Sequence, residues 1–136
     1  MLRIAINGYG RIGRSVLRAI YESEATKSVK IVAINEPSDA DTIAHLTRYD
    51  STHGRFPGAV RSDGLKLYIN DDEISLFDEA LVERLPWERL EIDVVLECSG
   101  TFSDRKTAEG HLKSGAKKVL FSQPAEADVD ATIVFG

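Results

Sequence analysis

An α/β fold built on a mostly parallel, doubly wound sheet is predicted by three observations. Short runs rich in Val and Ile alternate with stretches of helical periodicity, the pattern a parallel sheet with crossover helices requires. The first run ends in a glycine-rich turn that opens a helix. The second run, Lys30 to Ile34, is apolar without alternation, as expected for a strand covered on both faces.

Leu2 to Ile6 reads as the first strand, followed by the turn and a helix to about Glu22. Ile12, Val16, Leu17 and Ile20 fall at helical spacing and predict its apolar face. After the second strand, Ser38 and Asp41 form an S-x-x-D pair, a capping-box-like start for a helix ending near Tyr49. Asp50-Ser51-Thr52-His53-Gly54 is polar and turn-prone. Ala59 to Arg61, Leu65 to Ile69 and Ile74 to Phe77 then predict a small antiparallel insertion, with turns at Ser62-Asp63-Gly64 and Asn70-Asp71-Asp72. Ala80 to Leu85 reads as a short helix stopped by Pro86. Val94 to Cys98 reads as a buried strand and Lys118 to Ser122 as the next strand, around a helix from Asp104 to Ser114, with Ser103 as N-cap and Gly115 at the stop. A last strand is expected at Ala131 to Phe135, after the acidic loop Glu126 to Asp130. The chain stops at Gly136, at the end of that strand, so residues 1–136 are expected to form one domain of a longer product.

Composition narrows the function classes. The 136 residues are 43% hydrophobic and 29% charged, as in an ordinary globular domain. A net charge of −5 argues against nucleic acid or an anionic membrane as partner. No stretch approaches the ~20 apolar residues that span a bilayer, no signal-like leader precedes the first strand, and Cys98 stands alone, so a cytoplasmic location is expected. His45, His53 and His111 show no metal-ligand spacing and read as structural or exposed. Cys98 ends an apolar run without a base beside it and reads as a buried, inert thiol; no catalytic residue is expected within this chain.

The chemistry is carried by Gly8-x-Gly10-x-x-Gly13 between a strand and a helix. Gly8 permits the tight turn, Gly10 removes a side chain where a pyrophosphate approaches, and Gly13 lets the helix pack close to the strand. The helix start, with the amides of Arg11 and Ile12, presents free N–H groups and a positive dipole end to phosphate. Glu36 follows the second strand near the ~20-residue offset of a ribose-binding acid. A carboxylate there accepts both ribose hydroxyls and repels a 2′-phosphate, so NAD is favoured over NADP. Ligands of open α/β sheets lie beyond the carboxyl ends of the strands, which adds Ser99, Gly100 and Ser122 as groove-lining residues. The segment Gly8 to Ser15 is also one substitution from a phosphate-binding P-loop, with Arg14 in place of its lysine and Glu97 as an acidic strand residue, so a P-loop NTPase is the rival reading. A nucleotide-binding module without chemistry is the third.

Ala5-Ile6-Asn7-Gly8-Tyr9-Gly10-Arg11-Ile12-Gly13-Arg14, Tyr49-Asp50-Ser51-Thr52-His53-Gly54-Arg55-Phe56 and Gly115-Ala116-Lys117-Lys118-Val119 resemble the glyceraldehyde-3-phosphate dehydrogenase family. The resemblance implies a Rossmann-type fold and an NAD-dependent enzyme that oxidises the aldehyde of a sugar phosphate through a cysteine nucleophile and a histidine base. It implies that both groups lie beyond Gly136 and that the full-length protein is a homotetramer. Asn7, Gly8, Gly10, Arg11, Ile12, Glu36, Ser99, Gly100 and Ser122 match the family's cofactor-contacting positions. Tyr9 stands where phenylalanine is usual, and Asp78-Glu79-Ala80 stands where an arginine near the adenine is frequent. Ala44-His45-Leu46, Leu85-Pro86-Trp87, Lys118-Val119-Leu120-Phe121-Ser122 and Asp130-Ala131-Thr132 resemble its erythrose-4-phosphate dehydrogenase branch.

Overall fold

The computed structural model describes residues 1–50, 54–99 and 105–122. Five strands run parallel at its centre: β1 (Leu2–Asn7), β2 (Val29–Asn35), β7 (Asp72–Phe77), β8 (Val94–Glu97) and β9 (Lys118–Phe121). With β5 (Val60–Asp63) and β6 (Lys66–Ile69) they form one seven-stranded sheet in the order β5-β6-β7-β2-β1-β8-β9. A two-stranded ribbon, β3 (Tyr49–Asp50) with β4 (Gly54–Arg55), stands apart. The helices are α1 (Arg11–Glu22), α2 (Ala40–Arg48) and α3 (Arg105–Lys113). The order places β1 in the middle of the five parallel strands with crossovers leaving to either side, the doubly wound Rossmann-type arrangement that the alternating pattern predicts.

The core divides between the two sheet faces. Ile4 and Ile6 of β1 join Leu17 of α1 and Ile43 and Ala44 of α2 in one cluster. Ala5, between them, points the opposite way and packs with Val82, Trp87, Ile92, Val95 and Ala116. In β2 the register with β1 shifts by one, Ile4 facing Ile31 and Ala5 facing Ala33. That bulge lets Val32 and Ala33 both serve the second cluster while Ile31 and Ile34 serve the first.

The expected antiparallel insertion forms, and it extends the main sheet: β7 pairs antiparallel with β6 and parallel with β2. Its hairpins turn at Gly64 and Asn70, both with positive φ. Other expectations are corrected by the packing. The N-cap of α2 is Asp39, whose carboxylate accepts from Thr42 N–H at 2.7 Å, because the Ser38 hydroxyl instead donates to Glu36. Ile12 lies 49% exposed, outside the apolar face of α1. Gly13 presses against the turn so closely that a Cβ there would sit 2.5 Å from Gly8 O, and the buried row therefore runs through Gly13 and Leu17. The segment expected as a short helix at Ala80 to Leu85 is a single 3-10 turn, Val82–Arg84. The turn expected at Asp50 to Gly54 ends in ribbon pairing, Asp50 opposite Gly54. Ser51 to His53, Ser103, and everything expected from Gln123 to Gly136 lie outside the described residues.

The stop of α3 is as expected. Gly115 N–H donates to Leu112 O and Ala116 N–H to His111 O, both at 3.1 Å, which is a Schellman closure around a glycine with φ +117°. A Cβ at Gly115 would lie 2.3 Å from Glu88 N, so both conformation and space demand glycine. Gly115→Ala is expected to destabilise the domain by about 1–3 kcal/mol, read as a lower urea midpoint at unchanged slope.

Candidate functional site at the carboxyl strand ends

The parallel strands finish together. Phe77, Asn35, Asn7, Glu97 and Phe121 are opposed in register, so the carboxyl ends of β7, β2, β1, β8 and β9 form one row. The ladder continues one residue past each end: Glu36 N–H donates to Phe77 O, Gly8 N–H to Asn35 O, Cys98 N–H to Asn7 O and Ser122 N–H to Glu97 O, at 2.7–3.0 Å. Gly8, Glu36, Ser99 and Ser122, far apart in sequence, therefore stand along one edge.

The turn after β1 meets the turn after β8 almost backbone to backbone. Gly8 has φ +92°, and a Cβ added there would fall 2.4 Å from Ser99 Cα. Gly10 is the opposite case: it is exposed, and a Cβ there would meet nothing within 4 Å. Its freedom faces open space, where a side chain would block a ligand rather than a neighbour. Gly10 is also the N-cap of α1, with no side-chain cap, and the first intrahelical bond is Arg14 N–H to Gly10 O. The amides of Arg11, Ile12 and Gly13 precede that bond, and helix geometry leaves such amides without an intrahelical acceptor. Arg11 and Ile12 are exposed. An uncapped helix start beside an open glycine fits the pyrophosphate of a dinucleotide.

Glu36 is half-buried at the end of β2. One carboxylate oxygen, Oε1, accepts from Tyr9 N–H at 2.8 Å and the other from the Ser38 hydroxyl at 3.3 Å. These bonds fix the carboxylate against the glycine turn and leave each oxygen further acceptor capacity. Tyr9 anchors the turn from its other end. Its hydroxyl is buried 2.6 Å from Thr47 Oγ1, and Thr47 in turn donates to Ile43 O. Burial, only partly offset by that hydrogen bond, pushes the Tyr9 phenol up to about 12.

Beneath the row lies a buried polar network that sequence reasoning missed. Glu97 Oε2 accepts from Asn7 Nδ2 at 2.7 Å and from His111 Nε2 at 2.8 Å, and Oε1 accepts from Ser99 N–H at 3.1 Å. Asn7 Oδ1 accepts from Asn35 Nδ2 at 2.7 Å; Asn35 in turn holds the backbone N–H and C=O of Glu79. His111 Nδ1 accepts from Trp87 Nε1 at 3.1 Å, so the ring carries its proton on Nε2 and donates it to Glu97. His111 is therefore a core histidine, with no exposure. Asn7, matched to a cofactor-contacting position, is buried and turns both its Nδ2 and its Oδ1 to partners within the network. The available signal was the recurrence of polar residues at the ends of three apolar runs: Asn7, Asn35 and Glu97.

Burial pushes the Glu97 carboxyl up, but the hydrogen bonds from His111, Ser99 and Asn7 outweigh it and hold the group below its ordinary 4.5. Cys98 is buried next to it, and burial pushes its thiol up to about 11 despite a hydrogen bond with Ser122. It is a neutral thiol at pH 7. Among the described residues no group of three or more His, Cys, Asp or Glu could hold a metal ion, and no helix is long and apolar enough to cross a membrane. Ser122 is exposed, Ser99 is half-buried, and Gly100 lies outside the described residues.

Residues 2–105 match the family model described as glyceraldehyde 3-phosphate dehydrogenase, NAD binding domain. The chain belongs to the glyceraldehyde 3-phosphate dehydrogenase family. It carries that family's NAD-binding domain, so its cofactor is NAD and its family is one of NAD-dependent oxidoreductases.

Two outcomes follow from the site. Because the native Glu97 carboxyl is held low, its contribution to stability is complete above 4.5 and disappears as pH falls through the lower native value. Glu97→Gln should flatten the acid limb of a stability–pH curve and cost about 1–3 kcal/mol at pH 7. At pH 7.5 Cys98 should resist iodoacetamide in the folded chain and react in denaturant, as followed by mass spectrometry.

Proposed function

We propose that this chain is the NAD-binding domain of an enzyme that oxidises D-erythrose 4-phosphate to 4-phosphoerythronate, a step in pyridoxal phosphate synthesis. The observation that carries the dinucleotide reading is the pairing of an open Gly10 at an uncapped helix start with a Glu36 carboxylate tethered to the same turn. Gly8, Gly10, Arg11 and Ile12 take the pyrophosphate, Glu36 the adenosine ribose, and Ser99, Gly100 and Ser122 line the groove toward the nicotinamide. Asn7 serves from beneath, through its bonds to Glu97 and Asn35. When bound, NAD would supply the hydride acceptor, and these residues would hold and orient it.

The erythrose-phosphate branch is supported by Ala44-His45-Leu46, Leu85-Pro86-Trp87 and Lys118-Val119-Leu120-Phe121-Ser122. A phosphorylating glyceraldehyde 3-phosphate dehydrogenase is the second reading, consistent with the family to which the chain belongs. In either reading the catalytic cysteine and histidine are supplied beyond Gly136, and the full-length enzyme is a cytoplasmic homotetramer.

Calorimetric titration of the chain should show NAD binding and little response to NADP or Mg-ATP. Glu36→Ala should weaken NAD at least about tenfold, the loss expected for a charge-assisted hydrogen-bond pair; unchanged affinity would sink the ribose role. The chain alone should reduce no NAD with either aldehyde phosphate. The full-length enzyme should reduce NAD with erythrose 4-phosphate in the absence of inorganic phosphate. Phosphate-dependent turnover of glyceraldehyde 3-phosphate would establish the second reading instead.

A further inference from the structure

The buried network beneath the strand ends has a direction. Trp87 donates to His111, His111 to Glu97, Asn35 to Asn7, Asn7 to Glu97, and Glu79 N–H to Asn35. Apart from the second Asn35 bond, to Glu79 O, these donations lead toward one carboxylate, whose side chain has no exposure. A buried carboxylate is tolerated only when its lone pairs are filled by well-placed donors. Glu97 meets that demand with three, and they come from three parts of the fold: β1, α3 and the turn after β8. The third donor is the backbone amide of Ser99, whose Cα forms the wall that Gly8 must clear. Holding that amide fixes where the second turn stands relative to the glycine turn.

We propose that Glu97 is a positioning residue for the nicotinamide-side half of the dinucleotide groove: by gripping Asn7 and the Ser99 amide together, it sets the gap between the two turns that NAD must bridge. The proposal rests on the dinucleotide reading of the strand-end site. In a doubly wound sheet the first βαβ half takes the adenosine side and the second half takes the other nucleotide. Glu36 belongs to the first half and Ser99 to the second. Loss of the Glu97 grip therefore acts on NAD and spares a ligand that occupies only the adenosine side.

Glu97→Gln keeps the shape and removes the charge. With its single oxygen toward Asn7 and His111, its amide group faces the Ser99 N–H, donor against donor. The turn after β8 must then move. Titrations with NAD and with AMP, on a variant shown to be folded by circular dichroism, read the result. NAD should weaken about tenfold and AMP by less than twofold. Equal losses, as general destabilisation would cause, or no loss of NAD affinity, would overturn the proposal. Glu36→Ala in the same assay should weaken both ligands.

A second measurement does not depend on the variant folding. Trp87 is the only tryptophan, and its indole N–H is the outermost donor of the network. In the ¹⁵N spectrum of the unmodified chain, that single indole signal should shift on adding NAD and stay in place with AMP. A signal unmoved by NAD, or moved as far by AMP, counts against Glu97. A chain that takes up neither ligand refutes the dinucleotide reading itself, whereas binding of both without the split refutes only the role of Glu97.

Discussion

A carboxylate without access to water must be surrounded by donors, and that requirement organises the upper edge of this domain. Glu97 sits at the end of β8, beside β1, and draws Asn7, His111 and the Ser99 amide onto itself. Asn7 passes the constraint to Asn35, and Asn35 passes it to the backbone of Glu79. The ends of three adjacent strands are thereby locked by side chains as well as by the ladder. Between those ends Gly8 lies so close to Ser99 that any Cβ would collide.

That rigidity has a use in a protein that must recognise a long, charged, flexible ligand. A groove whose walls are already placed does not spend binding free energy on ordering them. The domain is acidic overall, with net charge −5, so what it offers a phosphate is local: an uncapped helix start and a position without a side chain. The acid at Glu36 stands one strand away, where a ribose and not a phosphate is expected. Cys98, buried and held neutral, is kept out of the chemistry.

Much of this was legible in the chain. The alternation of apolar runs and helical stretches, the glycine spacing and the acid after the second strand all depend on local geometry, which neighbouring residues dictate. The failures share a different cause. Ser38 and Asp39 are both competent caps, and the choice between them turned on Glu36, which captures the Ser38 hydroxyl. Ile12 fits the helical period but is turned outward by the contact of Gly13 with Gly8. The antiparallel strands were recognisable from their turns, yet their attachment to the main sheet depends on the pairing of β7 with β2, a contact across some forty residues. His111 had no signal of its own, because its partners Trp87 and Glu97 lie on other elements.

The sequence by itself determined the fold class, the glycine turn, the acid beside it and the family, since each is written in short-range spacing that only one backbone geometry satisfies. Only the tertiary structure decided which polar residues at the strand ends are open and which are bonded to one another beneath them. Asn7 matches a cofactor-contacting position in the chain and is committed inward in the fold. Glu97 reads as the last residue of an apolar strand and is the centre of the network. The reason is physical: a buried charge is defined by the donors that converge on it, and convergence from separate strands and helices exists only once the sheet has assembled.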